Sequence, residues 1–323
     1  MIYRLSDFQF PDSSTRLYPH NPDGEWQLEI GFGDGKFWNA HSALEPDANY
    51  LGVEISGTSL LKAQAKSKAA GRRDLLTKMP AQTLVWAVIP SSSLSRIYVN
   101  FPDPWPKAGH FENRLLRASF FTLAADRLKP GGEIWFTTDH DEYFEFALEQ
   151  ATQTGFYQII QTEPPQAALE TKYAKKWEGF GLRPQHVRFR VTSQPERAPH
   201  LEVHVPSAEE DMPHSLIEFG TPDFAIQLEH FEKAVYRYGE TTVVLLEVLK
   251  SSNRPVHFFL AHVEEGDLIQ EVLVGLTARA GDSTLVRLDR FGSPIITPGV
   301  KRAVESVTRW LEERGAKVLA RAY

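Results

Sequence analysis

The chain has 323 residues, 42% hydrophobic and 24% charged, the composition and length of two ordinary globular domains. Cysteine is absent, which excludes disulfides, thiolate nucleophiles and cysteine-ligated metal centres. With no run of about 18 apolar residues and no signal-peptide layout, a cytoplasmic protein without membrane span or metal is expected. The net charge of −7 is uneven: residues 201–323 hold 13 Lys/Arg against 19 Asp/Glu, leaving 22 against 23 before them, so the first two-thirds has room for basic patches.

In chain order, Trp26–Ile30 reads as a strand followed by a glycine turn, and Tyr50–Glu54 as a second strand. Ser56 is placed to cap a helix through Ala70, with Gly71 beyond its end. Arg96–Asn100 is a strand, Asn113–Leu128 an amphipathic helix stopped by Lys129-Pro-Gly-Gly132, Glu133–Thr138 a strand, and Asp141–Thr154 a helix ended by Gly155. Phe156–Gln161 and His186–Val191 form a closing strand pair. This alternation predicts an α/β domain over residues 1–192 with a mostly parallel sheet. A proline-bearing polar linker over residues 193–200 follows. Residues 201–323 change pattern: strands at Ala234–Tyr238, Thr241–Leu249, Val256–Val263, Gln270–Thr277 and Thr284–Leu288, then a helix Pro298–Glu313, predict a smaller α+β domain. It carries no chemical constellation.

The sharpest local pattern is Leu28-Glu-Ile-Gly-Phe-Gly-Asp-Gly35. Gly31, Gly33 and Gly35 after a strand allow a tight turn and close backbone approach to a ligand. The spacing is one residue shorter than the G-x-G-x-x-G dinucleotide fingerprint. Asp34 within it and Glu29 before it would repel a pyrophosphate, but they suit a cationic, phosphate-free nucleoside such as S-adenosyl-L-methionine. Glu54 ends the next strand 23 residues after Gly31, where an acidic side chain meets ribose hydroxyls in nucleotide-binding βαβ units. Asn100-Phe-Pro-Asp-Pro-Trp-Pro-Lys107 then places Asp103, bracketed by prolines, outside the carboxyl end of a strand.

These segments, with Gly52-Val-Glu-Ile55, the Thr138-Asp139 pair and the Thr171-Lys-Tyr stretch in the same order, resemble the signature of the bacterial tRNA (guanine-N7-)-methyltransferases over about residues 24–192. The resemblance implies a Rossmann-like class I methyltransferase fold with a mostly parallel seven-stranded sheet. It also implies S-adenosyl-L-methionine as cofactor, and methyl transfer to N7 of a guanine in tRNA, at position 46 of the variable loop. It puts cofactor contacts at Glu29, Glu54 and Asp103, and substrate contacts at Lys107, Asp139 and Thr171, with Asp103 also catalytic. Pro80 stands where the family has an acidic residue facing the adenine, so that contact passes to backbone groups and to Met79 or Ala81; Ala174 likewise replaces a glutamate.

Guanine N7 carries no proton, so the reaction needs positioning and electrostatics rather than a general base. A carboxylate accepting from N1–H and the exocyclic amine would stabilise the charge that methylation creates, a role open to Asp103 or Asp139. Trp105 or Tyr173 could stack on a base splayed out of the tRNA. Two basic clusters suit phosphates: Lys62, Lys66, Lys68, Arg72 and Arg73 around one helix, and six Lys/Arg against Glu178 from Thr171 to Arg190. The second adjoins the substrate motif and is the favoured tRNA track. Rival readings are a NAD-dependent oxidoreductase, a methyltransferase of another substrate, and a non-catalytic tRNA-binding paralogue.

Overall fold

The structure, a computed structural model, describes residues 2–3, 21–87, 89–106, 111, 113–171, 183–196, 212–219, 228, 230–266, 268–279, 282–291 and 294–323. The chain divides into two units, Met1–His200 and Leu201–Tyr323.

In the first unit the strands lie in the order β1 (Ile2–Tyr3), β4 (Leu75–Lys78), β3 (Asn49–Glu54), β2 (Trp26–Ile30), β5 (Leu94–Asn100), β6 (Leu128–Thr138), β8 (Gln185–Val191), β7 (Tyr157–Gln161). Among the described strands of this sheet only β8 runs against its neighbours. The sheet is thus the mostly parallel one expected, with the two-residue β1 added beside β4. The order reverses at β2, whose neighbours are β3 and β5, and this makes a switch-point crevice at the carboxyl ends of β2 and β5. Helices α1 (Lys36–His41), α2 (Gly57–Ala69) and α6 (Gln166–Leu169) form one layer, with α1 touching the other two. Helices α3 (Ala81–Ala87), α4 (Ala118–Arg127) and α5 (Asp141–Thr154) form another, with α4 touching α3 and α5.

The two faces of this sheet differ in chemistry. Leu28, Leu51 and Ile97 stand in register, as do Ile30, Val53 and Val99, continued by Ile134 and Phe136; all are buried. That uniformly apolar face supplies the hydrophobic driving force. The opposite face aligns Glu29, Tyr98, Trp135 and Arg188 across four strands. Several of its polar groups pair with one another: Tyr98 donates to Gln27 at 2.7 Å and shares a hydrogen bond with His41 at 2.9 Å, while Arg96 pairs with Glu45 and donates to Tyr98 at 2.9 Å. Helix α1 covers this face by stacking Trp38 on Tyr50 at 4.0 Å.

Several elements depart from the sequence reading. Strand β4 and helices α1, α3 and α6 are too short to show a period. Helix α4 begins at Ala118 rather than Asn113, because Arg114 is drawn inward for another purpose. Strand β6 runs through Lys129-Pro-Gly-Gly132, with Gly131 at φ +77°.

The second unit is an antiparallel sheet in the order β10 (Ala234–Tyr238), β11 (Thr241–Lys250), β12 (Val256–Glu265), β13 (Leu268–Ala278), β14 (Ser283–Leu288), β9 (His214–Phe219), β15 (Ala316–Ala322). Strands β9 and β15 were not anticipated. Helix α7 (Pro298–Glu312) packs its stripe Val300, Ala303, Val304, Val307, Trp310 and Leu311 into the core, at the spacing of one helical face. Thr297 caps it by accepting from the Val300 amide at 3.2 Å. Among the described residues no helix is long and apolar enough to cross a membrane, and no cluster of three His, Asp or Glu is placed to hold a metal.

Candidate functional site

The glycine loop leaves β2 at the crevice. Gly31, Gly33 and Gly35 have φ of 69°, 53° and 74°, a region that side-chain-bearing residues enter at a cost of about 1–2 kcal/mol. Their purposes differ. A Cβ built on Gly35 would lie 2.8 Å from Cβ of Ala63, so this glycine lets α1 approach α2. Among the described residues a Cβ on Gly31 or Gly33 would meet nothing within 4 Å, so these two turn bare backbone toward open space. Gly52 is needed for packing, since a Cβ there would reach 2.6 Å from the ring of Phe32 at the loop's centre.

Glu54 holds the loop. One of its oxygens accepts from the Gly33 amide at 2.8 Å; the other accepts from Ile55 and Ser56 amides, both at 2.9 Å. A carboxylate has about four acceptor sites, so roughly one remains for a ligand hydroxyl rather than the two the sequence suggested. Glu29 is enclosed behind the loop, 2% exposed, and accepts from the Tyr50 hydroxyl. Burial pushes its carboxyl up to about 8, against the opposing effect of that hydrogen bond. Asp34 is tied to Lys66 at 2.8 Å; burial raises its carboxyl, but Lys66 and Lys36 together hold it below the ordinary range.

Asp103 lies in the segment leaving β5, next to β2, and is exposed. The segment begins with the Phe101 amide donating to the Thr137 carbonyl at 2.8 Å. Phe101 and Trp105, neither a glycine, sit at φ 50° and 43°. Such strain persists only where the surroundings over-determine it. The surroundings here are Arg114, 1% exposed, which donates to the Pro104 carbonyl at 2.8 Å and the Trp105 carbonyl at 3.4 Å and pairs with Glu142 at 3.0 Å. Its guanidinium also lies 4.0 Å from the ring centroid of Phe111 and 4.8 Å from that of Phe146. Sequence reasoning missed Arg114. The available signal was an arginine interrupting the apolar stripe of a supposed helix.

Asp139 follows the end of β6, the strand beside β5, and is half-buried; neither it nor Asp103 makes a hydrogen bond or ion pair among the described residues. Ala81 opens α3 just beyond β4, after buried Met79. Thr171 follows α6 and donates its hydroxyl to the Ala168 carbonyl at 2.8 Å. Ala167 and Ala168 pack in the cluster that holds Phe32 of the glycine loop, so Thr171 is carried near that loop. Lys107, Tyr173 and Ala174 lie outside the described residues.

The members of the basic clusters differ in what they engage. Lys66 is engaged by Asp34, and Arg72 by Asp74 at 3.0 Å and the Ala48 carbonyl at 3.0 Å. These two brace α1 and α2 and leave Lys62, Lys68 and Arg73 as the exposed members. In the second cluster Arg188 and Arg190 stand opposite Trp135 and Glu133, toward the end of β6 away from the crevice, and Arg190 pairs with Glu133 at 2.8 Å.

A family model described as "Putative methyltransferase" matches residues 23–183. A Deinococcus radiodurans protein named tRNA (guanine-N(7)-)-methyltransferase is 54% identical over 327 residues, covering 100% of each chain. Proteins of the same name from Thermus thermophilus and Thermotoga maritima are 37% and 26% identical, covering 92% and 90% of each chain respectively. The similarity to all three therefore extends into the second unit.

Proposed function

This chain belongs to the tRNA (guanine-N(7)-)-methyltransferase family, and from that premise we propose how its residues transfer a methyl group from S-adenosyl-L-methionine to N7 of a guanine in tRNA. When bound, the cofactor supplies an electrophilic methyl on a sulfonium. The site fits such a group: bare backbone at Gly31 and Gly33 faces open space among the described residues, and Glu29, Asp34 and Glu54 surround the loop with carboxyl groups, the two lysines nearest it being engaged by Asp34. Gly31 and Gly33 admit the cofactor, Glu54 accepts from the ribose, and Met79 with Ala81 flank the adenine. Glu29 acts from behind the loop, where an arriving cation favours its ionised form.

The reacting lone pair of guanine N7 is already free, so no side chain removes a proton before transfer. Methylation makes the purine cationic and its N1–H more acidic. Asp103, held at the crevice by a braced loop, accepts from N1–H and the exocyclic amine, orienting the base and stabilising the charge as it forms. Asp139 and Thr171 bound the substrate side, with Lys107 and Tyr173 from the adjoining segments. Trp105, 38% exposed, offers a stacking surface for the displaced base. The guanine is that of position 46, and the reaction is cytoplasmic.

The observation that carries this reading is the adjacency of β2 and β5, which opens the glycine loop and the Asp103 segment onto one crevice. Its test is Asp103→Asn. Turnover should fall by about 100-fold or more, the scale of removing one preorganised electrostatic interaction, with cofactor affinity nearly unchanged. Turnover equal to the parent would refute the role.

A further inference from the structure

The polar face of the first sheet opens at the end away from the crevice into a groove lined by Glu25, Arg96, Lys129, Glu133, Arg188 and Arg190. Three of these residues form one registered row across three strands, Arg96 on β5, Glu133 on β6 and Arg190 on β8. The next row up sets Trp135 beside Arg188, with Arg96 leaning over the indole at 4.4 Å and Arg188 at 5.8 Å. Four cations therefore meet from three strands far apart in sequence, and no linear charge run reveals the cluster.

The carboxylates present leave one cation in excess: Glu25, Glu45 and Glu133 face the four, and Glu45 pairs with Arg96. Glu133 is shared between Arg190 at 2.8 Å and Arg188 at 3.6 Å, and Trp135 also donates to it at 2.7 Å. The Lys129–Glu25 pair at 2.7 Å is half-exposed on both sides and thus weakly held. The Nε–H groups of Arg96 and Arg188 are both buried without a hydrogen-bond partner among the described residues. Both side chains are nevertheless partly exposed, Arg96 at 23% and Arg188 at 29%, so their outer guanidinium N–H groups can reach an oxygen-rich anion in the groove. The indole contacts fix the guanidinium planes beforehand, which lowers the entropy cost of binding, and guanidinium forks match phosphate geometry. Gly131, at φ +77°, leaves its part of the rim bare, since a Cβ there would meet nothing within 4 Å among the described residues.

We propose that this groove is a phosphate site that holds the sugar–phosphate backbone of the tRNA at the end of the sheet remote from methyl transfer. The inference rests on tRNA being the substrate. Arg96 lies four residues before Asn100 on β5, roughly 13 Å along a strand at about 3.3 Å per residue. One folded tRNA can span the groove and the crevice, and Arg188 and Arg190 then serve as its distal phosphate contacts rather than as neighbours of the methylated base.

The test uses the full chain with unmodified tRNA, measured by fluorescence anisotropy across a potassium chloride series, which needs no turnover. In Lys129→Ala/Arg190→Ala, tRNA Kd should rise about tenfold. The slope of log affinity on log salt should shrink by about one to two, near 0.7–0.9 for each phosphate no longer neutralised. Cofactor Kd should match the parent. Lys250→Ala, the same kind of charge removal on the second unit, should leave tRNA binding as it was. Exposed Lys129 replaced alone gives a variant that folds should the double one not. A variant that melts like the parent and keeps its tRNA Kd and salt slope overturns the site, as does a parent that does not bind tRNA. A parent that binds tRNA at this groove but does not methylate N7 supports the site while refuting the function above.

Discussion

Arg114 donates its Nε–H to the main-chain carbonyl of Pro104 at 2.8 Å, from a side chain that is 1% exposed. A fully buried cation is thus committed to the backbone of the loop that carries Asp103, while its carboxylate partner Glu142 is itself half-exposed. Lysine keeps the charge but not the planar fork that reaches two carbonyls and stacks on Phe111. Arg114→Lys should lower kcat by about 10–100-fold with a change in cofactor Kd of less than about threefold. It should also destabilise the first unit by about 1–3 kcal/mol, the range for leaving buried polar groups unsatisfied. Steady-state kinetics and denaturant melts check both; an unchanged kcat would show that the brace is only structural.

Glu54 makes the complementary prediction, on binding rather than turnover. Both its oxygens accept backbone amides, so the amide nitrogen of Glu54→Gln must face a donor with a donor. Cofactor affinity should fall by about 10–100-fold, matching about 1.5–3 kcal/mol for a hydrogen bond to a charged group. Turnover at saturating cofactor should fall much less. Titration calorimetry with the cofactor distinguishes the two effects.

The glycines separate packing from binding. Gly35→Ala drives a methyl into Ala63 and should lower the melting temperature by several degrees. Gly33→Ala meets no atom of the described residues within 4 Å, so it should carry only the positive-φ strain of about 1–2 kcal/mol while reducing cofactor affinity more than Gly35→Ala does. The reverse ranking in paired melting and binding measurements would mean that Gly33 does not face the ligand.

Glu29 predicts a pH dependence. Its carboxyl titrates near 8 in the fold and at the ordinary value of 4.5 once unfolded, because burial disfavours the charged form. Between those values the folded chain binds the extra proton, so this residue's contribution to stability falls as pH rises from about 4.5 to about 8. Glu29→Gln removes that slope. The melting-temperature difference, variant minus parent, should therefore grow with pH over this window; a constant difference would contradict the buried protonated state.

Much of the first unit was legible because glycines and prolines punctuate it. Trp26–Ile30, Asp141–Thr154 and the closing antiparallel pair follow from period and breakers. What stayed hidden depends on contacts across the sheet. Arg114 reads as a charge out of place in an apolar helical stripe until the loop it braces is seen, and Arg72 as a solvated charge until Asp74 and Trp38 enclose it. Glu29 was assigned to the cofactor from its motif; that it acts from beneath the loop depends on Tyr50, 21 residues away on the next strand. The glycine loop's position was readable, but the division of labour between Gly33 and Gly35 was not, since it turns on Ala63 in α2.

The central claim is methyl transfer to N7 of one guanine in tRNA. The most direct measurement incubates the full chain with methyl-labelled S-adenosyl-L-methionine and unmodified tRNA, then applies chemistry that cleaves the chain only at N7-methylguanosine. The account predicts label in the tRNA, a single cleavage in the variable loop at position 46, and loss of both in Asp103→Asn. Label in any other nucleoside, or label with no cleavage, would contradict it.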